Sequence, residues 1–287
     1  MKKLFLTSLL AVFAASGAQA ANVIDGNPLY MPKAGHFYSV TDLSGHTHVE
    51  PTDTVTLGEE FGYGITDNFA ITVGTSLSES GVDDSFEDYA WNDLSLKATF
   101  RAFQDGNIVA DIYGGVEAGP NLFAPIGGLY YHSKALDDSW WFDEDLTGYT
   151  WLAGLRAGYT TSQFTIAGHI EYGYVNSEMF NWGDQGMRAL ALGIDGQFVI
   201  DSNWNLVAGA EYTGIISDDY AYGDVVYGKV ENAGVWNGYF GVNYNIDATK
   251  FVGAYINGSL NHQGGDNGDE WEFDDGFGFG MKFGIDF

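Results

Sequence analysis

Two runs of alternating residues meet in the short stretch "YGITDNFAITVG", from Tyr63 to Gly74. After the sequence TDN, the apolar residues Phe69, Ile71 and Val73 share one parity, and small or mildly polar residues share the other. Period-2 alternation on both sides of turn residues predicts two strands joined by a tight turn. The second parity lacks the charges of a water-exposed sheet face. The pattern therefore predicts a sheet with one face in apolar surroundings and the other in a confined, mildly polar interior.

Connections of two lengths alternate strictly between the predicted strands. Five short and six long connections predict twelve strands, with both chain ends on the short-turn side. Transmembrane barrels have this arrangement, with short periplasmic turns and long extracellular loops. The short connections are residues 66–68, 104–107, 161–163, 200–203 and 245–249, and the long ones are residues 44–54, 78–93, 119–148, 176–186, 216–234 and 261–275.

Aromatic residues lie at the ends of the apolar stripes, and aliphatic residues lie between them. This order is typical of a lipid-facing band with aromatic girdles at both interfaces, and a closed sheet leaves no strand edge unpaired in hydrocarbon. We therefore predict an all-β fold, a transmembrane antiparallel up-and-down β-barrel of twelve strands over residues 36–287. The soluble alternative is a secreted β-sandwich, whose outer faces would be polar. One such stripe is Tyr149, Trp151, Ala153, Leu155, Ala157 and Tyr159.

The first twenty residues predict a secretory signal peptide. Lys2 and Lys3 precede an apolar run, and Ala18-Gln19-Ala20 is an A-x-A cleavage site. The apolar run is too short to cross a bilayer as a helix. We expect residues 1–20 to be cleaved and residues 21–35 to form an N-terminal periplasmic segment ahead of the barrel. The chain contains no cysteine, so no disulfide holds it together.

The chain ends with "GFGFGMKFGIDF", in which one parity is apolar up to the terminal Phe287. This pattern resembles the C-terminal strand of Gram-negative outer-membrane β-barrels, whose last aromatic residue is part of the signal that the assembly machinery recognises. The resemblance implies that Phe283, Ile285 and Phe287 form an assembly signal. It also implies a location in the bacterial outer membrane, with membrane lipid, lipopolysaccharide and the barrel-assembly machinery as partners.

Acidic residues are concentrated in the predicted long loops. The formal net charge of −28 becomes −30 once Lys2 and Lys3 are cleaved. The long loops hold 25 of the chain's 39 Asp and Glu residues, but only Lys134 and Lys229 as basic residues. Such a surface repels phosphates, which argues against nucleic acid as a partner. It also raises the local concentration of cations over the barrel mouth. Simple solubility is the alternative explanation.

A second set of charged residues falls on the interior parity of the strands. Arg101 and Asp111 flank one short turn symmetrically and are expected to be cross-strand neighbours. Arg156 is expected diagonally opposite His169, and Lys282 is available at the closing seam. The set either braces the lumen as a charge network or lines it as a selectivity filter. The predicted lumen-lining residues are Glu60, Lys97, Arg101, Asp111, Glu117, Arg156, His169, Glu171, Asp195, Glu211 and Lys282.

Glu59 is an acidic residue on the lipid-facing parity, between Leu57 and Phe61. An acidic side chain is tolerated near the membrane interface and costs more at the midplane. A β-bulge at Glu59 and Glu60 would turn this side chain inward. The sequence leaves both arrangements open.

No metal site or cofactor is predicted. In "HTHVE", His46, His48 and Glu50 share one parity and could hold zinc on an extended backbone, but no fourth ligand is identifiable. Three exposed polar residues are the commoner explanation. The loop "GGDNGDEWEFDD" lacks the spacing of an EF-hand. At most, we expect Ca²⁺ or Mg²⁺ to bind loosely at the acidic loops.

An enzyme is the least favoured function. His169 and Glu171 share the interior parity, as a general base and its orienting partner would. No serine is expected on a neighbouring strand at a matching height, since Ser95 lies on a strand that is not adjacent. The chain contains no catalytic motif.

The stretches "YGITDN" (residues 63–68) and "NDLSLK" (residues 92–97) resemble the outer-membrane proteins of the phenol-degradation meta-pathway transporter family and related barrels of twelve to fourteen strands. Asn92 stands where that family usually has glycine. The resemblance covers residues 58–119 and implies passage of small molecules across the outer membrane. It carries no substrate site to this chain, and the acidic mouth disfavours aromatic acids as cargo.

A narrow passive channel for small cationic or neutral solutes is the predicted function. A twelve-stranded barrel encloses a lumen between the filled eight-stranded case and the open sixteen-stranded porins. The alternative is a structural or surface-interaction protein that acts through its acidic loops.

Overall fold

The structure is a computed structural model that describes only part of the chain. The predicted signal peptide, the His48 and Glu50 part of the histidine motif, and most of the acidic loops lie outside the described residues. The described residues are 26–47, 54–80, 89–119, 148–177, 187–215, 218–222, 225–230, 234–262, 264–266, 269–271 and 276–287.

Twelve antiparallel strands close into a barrel, which confirms the predicted fold class and strand number. Each strand pairs with its neighbours along the chain, and the first pairs with the last. The barrel strands are β1 (Phe37–Thr47), β2 (Thr54–Thr66), β3 (Phe69–Ser80), β4 (Tyr89–Asp105), β5 (Ile108–Gly119), β6 (Gly148–Thr160), β7 (Phe164–Ser177), β8 (Met187–Val199), β9 (Trp204–Ile215), β12 (Gly234–Asn245), β13 (Lys250–His262) and β16 (Gly276–Asp286).

Two of the long loops contain hairpins of their own. The strands β10 (Asp218–Tyr222) and β11 (Val225–Val230) pair in one loop, and β14 (Gly264–Asp266) and β15 (Asp269–Trp271) pair in another. Neither hairpin joins the barrel sheet. The sequence predicts both segments only as parts of long loops.

The two parities of each strand have opposite surroundings. On β6, Leu155 is 53% exposed, whereas its neighbour Arg156 is 9% exposed. The outward apolar residues would meet lipid, and the inward polar residues are screened by the barrel wall. Among the described residues, the structure has no helix long and apolar enough to span a bilayer.

Side-chain oxygens stabilise the short turns. Asp201 Oδ1 accepts hydrogen bonds from the backbone N–H groups of Asn203 and Trp204, at 2.7 and 2.9 Å. Asp247 Oδ1 accepts from the backbone N–H and the hydroxyl of Thr249, both at 2.8 Å. These two hydrogen bonds hold the pKa of the exposed Asp247 carboxyl below its ordinary value. Such Asx turns favour the tight reversal that the sequence predicts.

Backbone hydrogen bonds join the two ends of the barrel. The Phe37 N–H donates to the Phe287 carbonyl at 3.1 Å, and the Phe287 N–H donates to the Phe37 carbonyl at 2.8 Å. From there β1 and β16 pair in regular register up to Thr47 opposite Phe277. The terminal residue therefore takes part in closing the sheet.

The strand registers decide two points about the charged residues. Arg156 lies directly opposite His169, so the diagonal placement predicted for this pair is wrong. Glu59 and Glu60 pair in regular register with Thr75 and Gly74, so no bulge turns Glu59 inward. The bulge of β2 lies nearer its end, between Gly64 and Thr66.

Candidate functional site in the lumen

Tyrosine side chains lie flat against the inner wall of the barrel. Each covers a glycine that is its direct partner on the adjacent strand, and a Cβ atom on that glycine would overlap the ring. Glycine is the residue that permits this close approach. The pairs are Tyr38 over Gly62, Tyr113 over Gly154, Tyr239 over Gly209, and Tyr255 over Gly280.

Asp111 lies between two arginines on the inner wall, near the short-turn end of the barrel. Arg101 Nε is 2.9 Å from Asp111 Oδ1, and Arg156 Nη2 is 2.7 Å from Asp111 Oδ2. The Asp111 side chain is fully buried. The predicted cross-strand pair of Arg101 and Asp111 is confirmed. Arg156 joins it because β6 is the next strand, and its guanidinium reaches the same carboxylate.

His169 lies between two carboxylates farther around the wall. Its Nδ1 is 3.2 Å from Asp195 Oδ2, and its Nε2 is 2.8 Å from Glu211 Oε2. Tyr239 donates a hydrogen bond to Asp195 at 2.9 Å, and Thr213 donates to Glu211 at 3.1 Å. Both imidazole nitrogens therefore face an acidic partner. This arrangement braces β7, β8, β9 and β12 against one another.

Two further acidic residues have partners near the closing seam. Lys282 Nζ lies 3.4 Å from Asp42 Oδ2, and Tyr255 donates a hydrogen bond to Asp42 Oδ1 at 2.8 Å. Tyr38 donates to Glu60 Oε1 at 2.8 Å. These contacts link β13, β16, β1 and β2 across the point where the sheet closes.

The remaining predicted lumen residues lie on the same inner faces. Glu171 is 2% exposed and shares the inner face of β7 with His169. Lys97 and Glu117 are half-buried and lie on the parities of Arg101 and Asp111. The structure thus brings together Arg101, Asp111 and Arg156, and separately His169, Asp195 and Glu211. It does not gather all eleven residues into one cluster.

The N-terminal segment, residues 26–35, lies across the short-turn end of the lumen. Leu29 is 3% exposed and packs with Val109 and Ala167 on the inner wall. Its backbone carbonyl accepts a hydrogen bond from Arg101 Nη2 at 2.5 Å. Arg101 therefore binds both Asp111 and this segment.

Both ends of this segment contact the wall, on opposite sides of the barrel. Gly26, at φ +83°, lies so close to Val207 and Asn243 that a Cβ atom would overlap them. At the other end, the Gly35 N–H donates to the Gly64 carbonyl at 2.8 Å. Strands β9 and β12 lie across the barrel from β2, so the segment spans the lumen.

Additional polar contacts hold the middle of the segment. Tyr30 donates a hydrogen bond to Asp286 Oδ2 at 3.3 Å, and its ring meets the Tyr38 ring edge-on at 5.8 Å. The Ala34 N–H donates to Asp67 Oδ1 at 3.1 Å. The segment is thus attached to the short-turn ends of β16, β1 and β2 and to the first short turn.

Asp42, the wall tyrosines and the docking of residues 26–35 are functional features that the sequence pattern did not predict. Asp42 falls in the inner parity of β1, next to Val40, and the parity rule would have found it once the start of β1 was fixed. A wall tyrosine can be recognised from the sequence only when its glycine partner on the adjacent strand is already known. Residues 26–35 show no periodic pattern. The apolar Leu29 and Tyr30 are nevertheless unusual for a segment fully exposed to water.

The arrangement around His169 does not resemble a catalytic dyad. A general base needs one ring nitrogen directed at a nucleophile or an activated water. Here both nitrogens lie within 3.2 Å of carboxylate oxygens. The hydroxyls of Tyr239 and Thr213 in this cluster donate to Asp195 and Glu211. Among the described residues, the contacts around His169 hold the ring in place between two carboxylates.

Comparisons with known proteins identify the fold and no closer relationship. No family model and no curated protein matches the sequence. The COG4313 outer membrane channel from Pseudomonas putida F1 matches with a TM-score of 0.55 and 14% identity, over 93% of this chain and 100% of that chain. The translocator domain of autotransporter NalP from Neisseria meningitidis matches with a TM-score of 0.50 and 12% identity, over 96% of each chain.

At these identities the likeness shows the fold alone, which is that of the outer-membrane β-barrels. A closed barrel with an apolar outer belt is the structure that crosses a bacterial outer membrane, and this chain has both features. The fold therefore assigns the protein to the outer membrane. The finer resemblance to the phenol meta-pathway transporter family stays a prediction.

Proposed function

We propose that this protein is a narrow passive channel for small cationic or neutral solutes, and that its N-terminal segment closes the short-turn end. The observation that carries the proposal is the polar inner wall that leads to a mouth crossed by residues 26–35. A protein that acted through its loops alone would not need a polar interior. Filled small barrels pack their interiors with side chains.

The charge of the inner wall supports cations over anions. The carboxylates named above outnumber the lysines and arginines, and rings of acidic side chains favour cation passage. The acidic loops that the sequence predicts act in the same direction. The luminal carboxylates are Asp42, Glu60, Asp111, Glu117, Glu171, Asp195 and Glu211, and the basic residues are Lys97, Arg101, Arg156 and Lys282.

Gly64 offers a way to loosen the closure without altering the lumen charges. It lies beside the docked segment, and a Cβ atom here would overlap the carbonyl oxygens of Lys33 and Pro32. Backbone cannot move aside as a side chain can, so Gly64→Ala should displace the segment. Gly58 lies on the same face of the same strand, and its added Cβ would come no closer than 3.9 Å to Asp42. Gly58→Ala is the matched control.

Single-channel recordings in planar bilayers test the proposal. Wild-type protein and Gly58→Ala should show small, infrequent current steps. Gly64→Ala should show larger or longer openings, and so should Leu29→Asp, which removes the apolar contact with Val109 and Ala167 from the segment's side. Heat-modifiable migration on gels verifies that each variant is folded.

The recordings separate the parts of the proposal. Frequent wild-type openings that neither variant changes would show that the segment is not the closure. Silence of every folded variant would remove the channel and favour the alternative of a surface protein that acts through its acidic loops.

A further inference from the structure

The charged side chains of the lumen differ in how much of their surface a solute can reach. The side chains of Asp42 on β1 and Lys282 on β16 are each 25% exposed. Glu171, Asp195 and Glu211, on β7, β8 and β9, are only 2%, 6% and 5% exposed. Strands β1 and β7 lie six places apart in the barrel of twelve, so these two groups occupy opposite walls. A solute can approach the first group directly, whereas neighbouring side chains separate it from the second.

The uncharged inner residues show the same difference. In the half of the barrel nearer the long loops, Ala191 on β8 and Thr213 on β9 are 2% and 0% exposed. We name the inner faces of β7, β8 and β9 the packed wall, and those of β12, β13, β16, β1, β2 and β3 the open wall. Half-buried hydroxyl and amide groups on the open wall can hydrogen-bond to a hydrated ion or a neutral polar solute. They belong to Asn237, Asn257, Ser259, Ser44, Thr56 and Ser76.

Asp42 and Lys282 form a charged pair on the open wall. They are direct cross-strand partners, with Lys282 Nζ 3.4 Å from Asp42 Oδ2. The Tyr255 hydroxyl donates a hydrogen bond to Asp42 Oδ1 at 2.8 Å, and Lys282 Nζ lies 4.9 Å from the centre of the Tyr255 ring. The ring itself lies against Gly280. The ion pair and the cation–π contact therefore hold both charges in place while leaving part of each in reach of the lumen.

The pair lies on the long-loop side of the segment that crosses the lumen. That segment contacts β1 at Tyr38, whose ring meets the Tyr30 ring. Asp42 is four residues farther along β1 toward the long loops. A strand tilted by about 45° climbs roughly 2.3 Å per residue, so Asp42 stands roughly 9 Å above Tyr38. A solute that enters from the long-loop end therefore reaches Asp42 and Lys282 before it reaches the segment.

We propose that solutes pass along the open wall and that Asp42 and Lys282 are its specificity-determining residues. The proposal rests on the channel function proposed above and names the part of the lumen that selects. Strands β16 and β1 are the middle two of the six that form the open wall, so the pair lies at its centre. Lys97 and Glu117 are also half-buried, but they lie on β4 and β5, beyond its edge. The carboxylates of the packed wall stabilise the barrel and do not face the solute.

Single cysteines show which wall a water-soluble reagent reaches, because the chain contains no cysteine of its own. Ser76 lies on the open wall, and Thr213 lies six strands away on the packed wall. In the folded protein, Ser76→Cys should react with a small methanethiosulfonate many times faster than Thr213→Cys, as measured by mass spectrometry. Both cysteines should react fully after unfolding. Equal rates in the folded protein would overturn the proposal.

Reagents of opposite charge test the pair itself. Asp42 pairs with Gly58, which pairs with Ser76, so Asp42 and Ser76 are two strand spacings apart, or about 10 Å. In Ser76→Cys protein, Asp42→Asn leaves Lys282 without its counter-charge and should favour a sulfonate reagent over a trimethylammonium reagent. Lys282→Met should do the opposite. Each ratio of rates should change about four-fold, the value for one unit charge about 10 Å away in water.

These rates are measured at 0.01 M salt, where the Debye length is about 30 Å. Glu171→Gln removes a carboxylate from the packed wall and is the matched control, with an unchanged ratio as the expected result. Heat-modifiable migration verifies that each variant is folded. Shifts of the same sign in Asp42→Asn and Lys282→Met, or an equal shift in Glu171→Gln, would overturn the assignment of the pair.

The labelling needs no current, so its failure is distinguishable from failure of the channel. In the Gly64→Ala background, reversal potentials under a KCl gradient should shift toward anions for Asp42→Asn and toward cations for Lys282→Met. A barrel that never conducts would refute the channel and, with it, passage along the open wall. Equal labelling of the two walls in a conducting barrel would overturn the open wall alone.

Discussion

Individual charged residues of the lumen pair with one another on the inner wall of the barrel. Asp111 is the clearest case, since each of its oxygens has an arginine partner and its side chain is shielded from water. Arg101 also binds the Leu29 carbonyl, so one guanidinium connects the wall to the docked segment. Removing one member of a buried ion pair leaves an uncompensated charge, which costs more than the pair itself contributes.

Asp111→Asn should therefore lower the free energy of unfolding by about 3 kcal/mol, because it leaves two guanidinium groups without a counter-charge. Arg101→Met should cost less, since Arg156 still neutralises Asp111. Urea titration of the refolded protein in lipid vesicles measures both. Lys250→Met removes a solvent-exposed pair with Asp247 and should leave the unfolding midpoint unchanged. Equal midpoints for Asp111→Asn and this control would show that the arginine pair is not stabilising.

Among the elements, the first and last strands have a double role. Strand β16 presents the apolar stripe to lipid, and its end pairs with the start of β1 through two backbone hydrogen bonds between Phe287 and Phe37. The Phe287 side chain is 63% exposed on the outer face. Its ring is free to be recognised during assembly, while its backbone closes the sheet.

Phe287→Ser and deletion of Phe287 separate these two roles. The substitution removes the ring and keeps the backbone hydrogen bonds, whereas the deletion removes both. If the ring is the assembly signal, both variants should lower the folded, heat-modifiable fraction in outer membranes several-fold. Phe277→Ser, at the other end of the same stripe, is the control and should assemble normally. If Phe287→Ser has a normal folded fraction, any effect of deleting Phe287 comes from the lost backbone hydrogen bonds with Phe37.

Period-2 alternation was enough to predict the barrel strands, because in a barrel every residue points either in or out, but it did not lead to Asp42 on the inner face of β1. It placed Arg101 opposite Asp111 correctly, since a short turn fixes the register between them. It placed Arg156 diagonally to His169 instead of directly opposite, because the exact residues of the turn at 161–163 set that register. It could not predict the docking of residues 26–35, whose contacts join parts of the chain that are far apart in sequence.

For the whole molecule, the distribution of charge suggests how solutes would be selected. The sequence places most of the acidic residues in the long loops, and the structure adds an acidic excess on the inner wall. A field from the loops is screened by salt, over about 10 Å at 0.1 M and about 3 Å at 1 M. A filter formed by buried side chains is screened much less.

Reversal potentials under a KCl gradient distinguish the two sources. We expect cation preference at low salt that shrinks toward 1 M, if the loops dominate. Replacing five acidic residues in the longest loop by amides should weaken the preference further, with an equal number of Ser→Asn or Thr→Asn changes in short turns as the control. A preference that neither salt nor the loop variant alters would place the filter on the inner wall. The five residues are Asp137, Asp138, Asp143, Glu144 and Asp145.

The segment that crosses the lumen is joined directly to β1, so it behaves as a tethered ligand of its own barrel. Its release and return are intramolecular events, and a short tether gives an effective concentration in the millimolar range. A free peptide with the sequence of residues 26–35 would have to reach that concentration to compete for the wall around Leu29. Solutes at micromolar levels would not displace the segment by binding there, whereas cutting the chain between Ala34 and Phe37 would let it diffuse away.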